Sequence, residues 1–322
     1  MRLFTKNNKL VVGVDITTTA IKMVEITRQQ GLFHLRNYGI EPLPRGAVVD
    51  KNIVDIDAVS DALARLSRGS GFSSKHIATA VSGSSVISKI IEMEADLTEL
   101  ERESRIRLDA DQYIASRTEN VDQRVDAGAL AGLDTKIVDV EAYAVERAFQ
   151  LMVDSLPGQP QHVALIDIGH SQTTLYIAKD GEFVYSREQL FGGAQLTESI
   201  QSRYGLTFEE AMINKRTLSL PDDYYTDVLM PFLDAIVQQI TRSLQFYFSS
   251  SQNSQVEYIL LGGGSASIAG LASMVEQKLG TRTGIANAFS NMTINNHINT
   301  ELLIMDAPSL IAACGLALRS FD

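Results

Sequence analysis

The chain has 322 residues, 45% of them hydrophobic and 21% charged, which predicts a sizeable buried core divided between two lobes. Its net charge of −11 argues against a broad nucleic-acid surface, and its single cysteine, Cys314, excludes a disulfide framework and a cysteine-rich metal site. We expect a cytoplasmic protein, because no apolar run reaches the roughly 20 residues of a membrane-spanning helix and the first residues lack the apolar core of a secretory signal.

The first predicted element is a β-hairpin whose first strand ends in Asp15. The apolar run from Val11 is followed by the hydroxyl turn Thr17-Thr18-Thr19 and by a second β-prone run from Met23 to Ile26. An aspartate at the end of a buried strand needs a partner to stay ionised, and a turn of small residues leaves backbone N–H groups free to face an anion. Lys22 is close enough to return its ammonium to the turn and contact phosphate oxygens. Taken alone, the pattern also fits an ordinary turn followed by a solvated lysine.

The chain from residue 32 to residue 152 alternates between β-prone runs and helical periodicity. The predicted elements are a strand at Leu32 to Tyr38, a helix through Ile56, Val59, Leu63 and Leu66, a β-rich run at Ile77 to Met93, a helix at about Leu100 to Ser116, a loop or edge hairpin at Val121 to Thr135, a strand at Ile137 to Val140 and a helix at Glu141 to Met152. Thr98 and Glu101 have the spacing of a capping box. We expect residues from about 83 to 140 to form a small α+β insertion.

Glu141 stands where a strand becomes a helix, between the two predicted hairpins in sequence. In that position its carboxylate could orient an attacking water molecule. It equally fits an acidic first-turn residue that the helix dipole favours. The residues alone leave both roles open.

A second hairpin, after the break at Pro157-Gly-Gln-Pro160, closely matches the first. An apolar strand again ends in an aspartate, Asp167, which falls on Asp15 when the two hairpins are aligned. Gly169 permits close backbone approach, and Ser171, Gln172 and Thr173 offer side-chain donors. His170, in the same turn, is expected to face solvent. Two such hairpins facing each other could hold a polyphosphate and its cation.

The remainder of the chain is predicted to be mostly helical. The predicted elements are a strand at Phe183 to Arg187, a helix opened by Gly192-Gly193, a helix at Thr207 to Lys215, a long amphipathic helix from Leu229 to Tyr247, a buried strand from Tyr258, a helix at Ile268 to Leu279 and a small-residue helix at Ser309 to Leu318. The last of these contains Cys314, which is expected to serve packing.

Three glycines, Gly262, Gly263 and Gly264, separate the buried strand from the following helix and precede Ser265. Such a run lets the backbone lie against a flat ring or a phosphate, whereas a plain turn needs only one glycine. Glu210 and Lys215 are candidates to reach a nucleoside, although Thr207 with Glu210 also makes a capping box, which we favour.

The order of these parts resembles the order in the actin-like ATPase superfamily of actin, Hsp70 and FtsA. Within that superfamily the chain is similar to the PilM family of type IV pilus assembly proteins. The similar stretches span the whole chain: Leu10 to Glu25, His76 to Glu92, Asp139 to Arg147, Asp167 to Gly169, Ile236 to Phe248, Leu261 to Gly264, Ala286 to Met292 and Ala307 to Arg319. The resemblance implies an α/β, actin-like (ribonuclease H-like) two-lobed fold with a small α+β insertion in the first lobe. It also implies ATP and Mg²⁺ in a central cleft.

The resemblance also implies a division of the chain. The first lobe would span residues 1–160, with a core of 1–82 and 141–160 and the insertion at about 83–140. The second lobe would span 161–306, with a core of 161–205 and 255–306 and a helical part at about 206–254. Residues 307–322 would form a C-terminal helix that returns to the first lobe.

The resemblance assigns site residues by their positions in the matching motifs. The first phosphate motif would comprise Asp15, Thr17, Thr18, Thr19 and Lys22, the second Asp167, Gly169, Gln172 and Thr173, and the adenosine motif Gly262, Gly263, Gly264 and Ser265, with Glu210 and Lys215 near the nucleoside. Asp15 and Asp167 would hold Mg²⁺ through water, and Glu141 loosely matches the position that orients the attacking water.

Members of the PilM family bind the cytoplasmic N-terminal peptide of the inner-membrane protein PilN. The resemblance therefore implies a peptide groove in the first lobe, for which the candidate residues are Ile77, Val81, Val86, Ile87 and Ile90. Such a protein would lie peripherally at the inner membrane through this partner. Other proteins of the inner-membrane complex, the pilus motor ATPases and a second copy of the chain are further candidate partners, and neither nucleic acid nor a membrane span is expected.

The chain departs from the superfamily pattern at two positions. Thr17 stands where glycine is frequent, which stiffens the first turn, and Ala288 replaces an expected proline. The first departure affects hydrolysis more than binding, so slow or absent turnover is expected. The alternatives are a small-molecule kinase, an Hsp70-like chaperone and a filament-forming ATPase of the same superfamily.

Overall fold

The computed structural model describes residues 10–83, 86, 93–94, 96–113, 119–251 and 255–322, and of residues 107–113 the backbone alone. Among these residues a six-stranded and a five-stranded β-sheet, each flanked by helices, form two lobes, and a third sheet has two short strands. The elements of the first half are β1 (Val12–Ile16), β2 (Ala20–Gln29), β3 (Leu32–Pro42), β4 (Val48–Val49), β5 (Asn52–Ile53), α1 (Ile56–Gly69), β6 (His76–Val81), α2 (Glu99–Tyr113), α3 (Glu119–Leu130), β7 (Asp134–Val140) and α4 (Glu141–Val153).

The second half begins with another strand hairpin and is richer in helix. Its elements are β8 (His162–Ile168), β9 (Thr173–Lys179), β10 (Glu182–Gln189), α5 (Gly193–Tyr204), α6 (Phe208–Thr217), a π-helical turn (Tyr225–Leu229), α7 (Met230–Ser250), β11 (Tyr258–Gly262), α8 (Leu271–Leu279), β12 (Arg282–Ile285), β13 (Thr293–Ile294), α9 (Thr300–Asp306), a 3₁₀ turn (Ala307–Ser309), α10 (Ile311–Ala317) and a 3₁₀ turn (Leu318–Phe321).

The first-lobe sheet has, among the described residues, the strand order β13-β3-β2-β1-β6-β7. β1, β2 and β3 run antiparallel, whereas β6 lies parallel to β1 and β7. β13 pairs with β3, although the predicted division placed residues 161–306 in the second lobe. The first lobe therefore takes a short strand from late in the sequence.

The second-lobe sheet has the order β10-β9-β8-β11-β12 within the described part of the chain. β8 and β9 form the second hairpin, in which Asp167 pairs with Thr174, and β11 lies parallel to β8 with Gly262 opposite Asp167. β8 and β9 are buried along nearly their whole length because helices cover both faces of the sheet. This pairing brings the second aspartate and the glycine run to one edge of the sheet.

Helix α10 packs between the first strand and the helix that begins at Glu141. A Cβ atom on Gly13 would lie 2.0 Å from the carbonyl oxygen of Ala313, and one on Gly315 would lie 1.7 Å from that of Ala144. These two glycines therefore allow backbone to approach backbone. Cys314 is buried in the same helix, and burial raises the pKa of its thiol.

The expectation of a loop or edge hairpin at residues 121–135 is wrong, because α3 occupies most of that range. Gly128, within this helix, allows close packing against its neighbours. A Cβ atom there would lie 2.6 Å from the side-chain oxygen of Thr135. Arg124 and Ala127, on the same helix, are also buried.

No single helix of the described residues is long and apolar enough to cross a bilayer. The helical stretches Thr300–Ser309 and Ile311–Phe321 reach that length and composition only when they are counted together across a 92° bend.

Candidate functional site

The turns of the two hairpins meet between the lobes. The side-chain oxygens of Thr18 and Ser171 lie 3.3 Å apart. In the first turn the hydroxyl of Thr17 donates to the carbonyl oxygen of Ala20 at 2.8 Å, and in the second the N–H of Gly169 donates to the carbonyl oxygen of Gln172 at 2.9 Å. Each turn is therefore closed by a hydrogen bond of its own, and the two turns contact each other through Thr18 and Ser171.

A cavity of about 560 Å³ lies between these turns. It brings together most of the residues that the sequence analysis proposed. Those that line it are Asp15, Thr17, Thr18, Thr19, Lys22, Glu141, Asp167, Gly169, Gln172, Lys215, Gly263, Gly264 and Ser265. The side of the cavity nearer the second-lobe helices is largely apolar, with Leu196, Met212, Leu218, Tyr224, Leu229 and Ile268.

Three proposed nucleotide-binding residues do not line the cavity. The hydroxyl of Thr173 donates to the carbonyl oxygen of Phe191 at 2.7 Å. Gly262 is buried beneath the cavity, where a Cβ atom would lie 2.6 Å from a methyl carbon of Ile311. Glu210 forms the capping box with Thr207, whose N–H and hydroxyl donate to its carboxylate at 2.8 and 2.9 Å.

Carboxylates crowd the polar end of the cavity. Asp15 pairs with Lys22, whose Nζ lies 3.2 Å from Oδ2. The pKa of Asp167 is raised to about 6, chiefly by burial; the charge of Lys22 opposes this rise and that of Glu141 adds to it. A buried carboxyl with a raised pKa signals that its charge is incompletely compensated by the protein.

Lys51 completes this end of the cavity, and the sequence analysis did not identify it. Its Nζ lies 2.8 and 3.0 Å from the two carboxylate oxygens of Glu141 and 3.4 Å from Oε1 of Glu188. Burial raises the pKa of Glu141, and the adjacent Lys51 ammonium opposes that shift. Glu141 is an acidic residue in the first turn of α4, as one of the two predicted roles requires, and it is not a free base because both of its oxygens contact one lysine.

Gly263 holds a backbone position that another residue would adopt only with strain. Its φ is +85°, and a Cβ atom would lie 2.3 Å from Oδ1 of Asp167. The N–H of Gly263 donates to the carbonyl oxygen of Pro308 at 2.7 Å, and that of Ser265 donates to the carbonyl oxygen of Ile168 at 3.0 Å. The glycine run thereby lies directly against the second aspartate.

His170 is half-buried, so the expectation of a solvent-facing histidine is wrong. Its ring packs edge-on to Phe208, with the centroids 6.1 Å apart. Burial, together with the charges of Lys215 and Arg45, lowers the pKa of His170 to about 4. Lys215 donates to the side-chain oxygen of Thr197 at 2.8 Å, and burial lowers the pKa of this lysine to about 8.

Two of the five residues proposed for the partner peptide are inside the first-lobe core. Ile77 is 1% exposed and Val81 is 6% exposed, because β6 is a central strand of its sheet. These two side chains therefore present no surface to a peptide. Val86 is half-buried, while Ile87 and Ile90 lie outside the described residues.

Known proteins resemble this chain in sequence and in fold. A family model described as type IV pilus assembly protein PilM matches residues 13–115 and 114–321. Similar solved structures include the PilM-PilN type IV pilus biogenesis complex, with 23% identity over 98% of this chain and 99% of that chain and a TM-score of 0.81.

Two further solved structures share the fold. Ethanolamine utilization protein EutJ from Carboxydothermus hydrogenoformans has 18% identity over 96% of this chain and 89% of its own, with a TM-score of 0.63. MreB 5 of Spiroplasma citri bound to AMPPNP has 15% identity over 94% of each chain and a TM-score of 0.51. These likenesses confirm the predicted α/β, two-lobed, actin-like fold.

Proposed function

The chain belongs to the family of type IV pilus assembly protein PilM, and from this premise we propose that it is a nucleotide-dependent scaffold of the pilus assembly complex. It binds ATP with Mg²⁺ in the cleft between its lobes. It also binds the N-terminal cytoplasmic peptide of PilN, and the nucleotide alters how the lobes present that peptide site.

The observation that carries this proposal is the meeting of the two hairpins that contain Asp15 and Asp167 across one cavity. Turns that contact through Thr18 and Ser171 place backbone and hydroxyl donors on both sides of it. Such donors suit the oxygens of a polyphosphate. In addition, the side-chain nitrogen of Gln172 is buried and has no hydrogen-bond partner in the described part of the chain, so it can donate to a phosphate oxygen.

The charges in the cleft fit a divalent cation. Mg²⁺ is usually held by one or two carboxylates together with phosphate oxygens and waters. Asp15 and Asp167 offer two such carboxylates, and the raised pKa of Asp167 follows from burial that Lys22 offsets only in part. The bound cation would supply positive charge at the phosphates.

The apolar end of the cavity supports the placement of the base. Leu196, Met212 and Ile268 give a surface suited to a flat ring, next to the open backbone at Gly264. Lys215 lies beside them, and its ammonium group donates a hydrogen bond to the side-chain oxygen of Thr197. The cavity of about 560 Å³ falls in the range of roughly 300–1,000 Å³ typical of small-molecule sites.

Turnover is proposed to be slow. Glu141 is the candidate to orient water, yet both of its carboxylate oxygens contact Lys51. A carboxylate in that arrangement must exchange a strong ion pair for a water molecule before it can act as a base. The protein would then hold ATP for long periods, as suits a scaffold whose state depends on occupancy.

PilN is proposed as the partner because one solved structure of similar fold, matched over 98% of this chain, is a PilM-PilN complex. Binding to an inner-membrane protein would place this chain at the inner membrane. Because Ile77 and Val81 are buried, the peptide would contact other residues of the first lobe.

The test is a calorimetric titration of the purified protein with a synthetic peptide of the PilN N-terminal segment, in the presence and absence of Mg-ATP. We expect the peptide to bind, with an affinity that differs between the two conditions. A scrambled peptide serves as the control. Absence of peptide binding in both conditions would reject the assembly role, and a peptide affinity that Mg-ATP leaves unchanged would reject the nucleotide dependence.

A further inference from the structure

Residues 43–55, which we call the strap, connect β3 to α1 and include the short hairpin of β4 and β5. The apolar side chains of the strap pack in the first lobe. Four of them are buried in the hydrophobic core between the first sheet and α1: Leu43, Ala47, Val48 and Ile53. The strap is therefore anchored in the first lobe by its apolar residues.

Two cations of the strap reach the second lobe. The guanidinium carbon of Arg45 lies 5.0 Å from the centroid of the Phe208 ring, at the start of α6. The Nζ of Lys51 lies 3.4 Å from Oε1 of Glu188, on β10. One segment of the first lobe thus makes two separate contacts with the second.

Both contacts lie beside the nucleotide cavity. Lys51 itself lines the cavity, and Phe208 packs against His170, which also lines it. A third contact between the lobes, from Thr18 to Ser171, lies among the same lining residues. Separation of the lobes around a bound ligand would have to break all three contacts.

The backbone of the strap is fixed where the lysine leaves it. Asp50 and Lys51 have φ values of +49° and +63°, and the guanidinium of Arg124 donates to the carbonyl oxygen of Lys51 at 2.8 Å. The contacts to the second lobe are weaker, because Arg45 is exposed and the side chain of Glu188 is 36% exposed. Because its own backbone is fixed and its two contacts to the second lobe are weak, the strap suits repeated opening and closing of the lobes.

We propose that the strap is a clasp between the lobes that slows the release of nucleotide from the cleft. The inference rests on the proposed binding of ATP there. The clasp acts on dissociation rather than on encounter, because its contacts must break before the lobes part but need not exist when the ligand arrives.

The experiment measures release of a fluorescent ATP analogue from the full chain, preloaded with Mg²⁺ and chased with excess unlabelled ATP. The variants Arg45→Ala and Glu188→Ala each remove one strap contact, and neither residue lines the cavity. We expect each to raise the dissociation rate constant about two- to fivefold, with the association rate constant unchanged.

Matched controls separate the strap from general effects of the substitutions. Arg28→Ala removes a similar contact, with the guanidinium carbon 5.2 Å from the Phe33 centroid, within the first lobe. Glu182→Ala removes an exposed carboxylate from the same strand as Glu188. Both controls should release the analogue at the wild-type rate.

The outcomes distinguish this inference from the proposed function. If the wild-type protein binds the analogue and both strap variants release it at the wild-type rate, the clasp is rejected and ATP binding stands. If the wild-type protein does not bind the analogue at all, both proposals are rejected. Faster release from the controls as well as the variants would also reject the clasp.

Discussion

The hydroxyl oxygens of Thr18 and Ser171 lie 3.3 Å apart, although 153 residues separate them in the chain. Each belongs to a turn that follows a strand whose penultimate residue is an aspartate, and these aspartates, Asp15 and Asp167, both line one cavity. We expect this arrangement to affect both the binding of Mg-ATP and the free energy of unfolding of the protein.

Asp167→Asn should weaken the binding of Mg-ATP at least about tenfold, because the amide cannot supply the negative charge that the cation requires. Isothermal titration calorimetry at pH 7.5 measures the change. Asp180→Asn, an exposed substitution in the turn after the same hairpin, is the matched control and should bind as the wild type does. Equal affinities for the two variants would count against a cation at Asp167.

The same substitution should stabilise the nucleotide-free protein in a pH-dependent way. Burial raises the pKa of Asp167 to about 6, whereas an unfolded aspartate titrates near its ordinary value of about 3.9. The folded state therefore binds more protons between about pH 4 and pH 6, so the contribution of Asp167 to stability falls as the pH rises through that window.

The Asp167→Asn variant has no charge to bury at this position, so its stability does not fall in this way as the pH rises. Above pH 6 the free energy of unfolding of the variant should exceed that of the wild type by up to about 3 kcal/mol, and the difference should shrink towards pH 4. Urea denaturation at pH 4, 5, 6 and 7.5 without nucleotide measures it. A difference that is independent of pH would show that Asp167 is not the group that titrates.

Lys51→Met should destabilise the protein by about 2 kcal/mol, because it leaves the carboxylate of Glu141 buried without its charged donor. Thermal or urea unfolding measures the effect. Lys136→Met is the control, since Lys136 pairs with Asp134 at 2.7 Å on the exposed surface and should cost less than about 1 kcal/mol.

The double variant Lys51→Met/Glu141→Gln tests the cause. Neutralising the carboxylate should recover part of the lost stability, because no unpaired charge then remains. If the double variant loses the sum of the two single effects, the lysine does not act through Glu141.

Gly315→Ala should destabilise the protein by about 3 kcal/mol, because the added Cβ would overlap the carbonyl oxygen of Ala144 and force α10 away from α4. Gly69→Ala is the control at the end of α1, where an added Cβ meets no atom within 4 Å. It should be neutral or slightly stabilising. Similar unfolding midpoints for the two variants would contradict the close helix crossing.

The two hairpins could be predicted from sequence because their information is local. An apolar run, an aspartate and a small-residue turn specify each of them within a few residues, and the structure places Asp15 and Asp167 accordingly. The strand that becomes a helix at Glu141 was equally readable from its apolar periodicity.

Lys51 could not be predicted, because its position depends on contacts far away in sequence. Its backbone is left-handed and is held by Arg124, and its partners Glu141 and Glu188 come from two different lobes. The proposal of Ile77 as a peptide-binding residue was an error of the opposite kind. A β-prone, apolar sequence occurs both in interior strands and in peptide grooves, and only the strand order of the sheet shows that Ile77 is buried.

Helix α10 makes the first lobe dependent on residues that the ribosome adds last among those described. The N–H of Val11 donates to the side-chain oxygen of Ser320 across 309 residues, and Gly13 lies against Ala313. Contacts of such long range slow folding, since a large loop must close before they form. During translation the nascent first lobe would expose the apolar faces that α10 covers until residues 311–317 have been added.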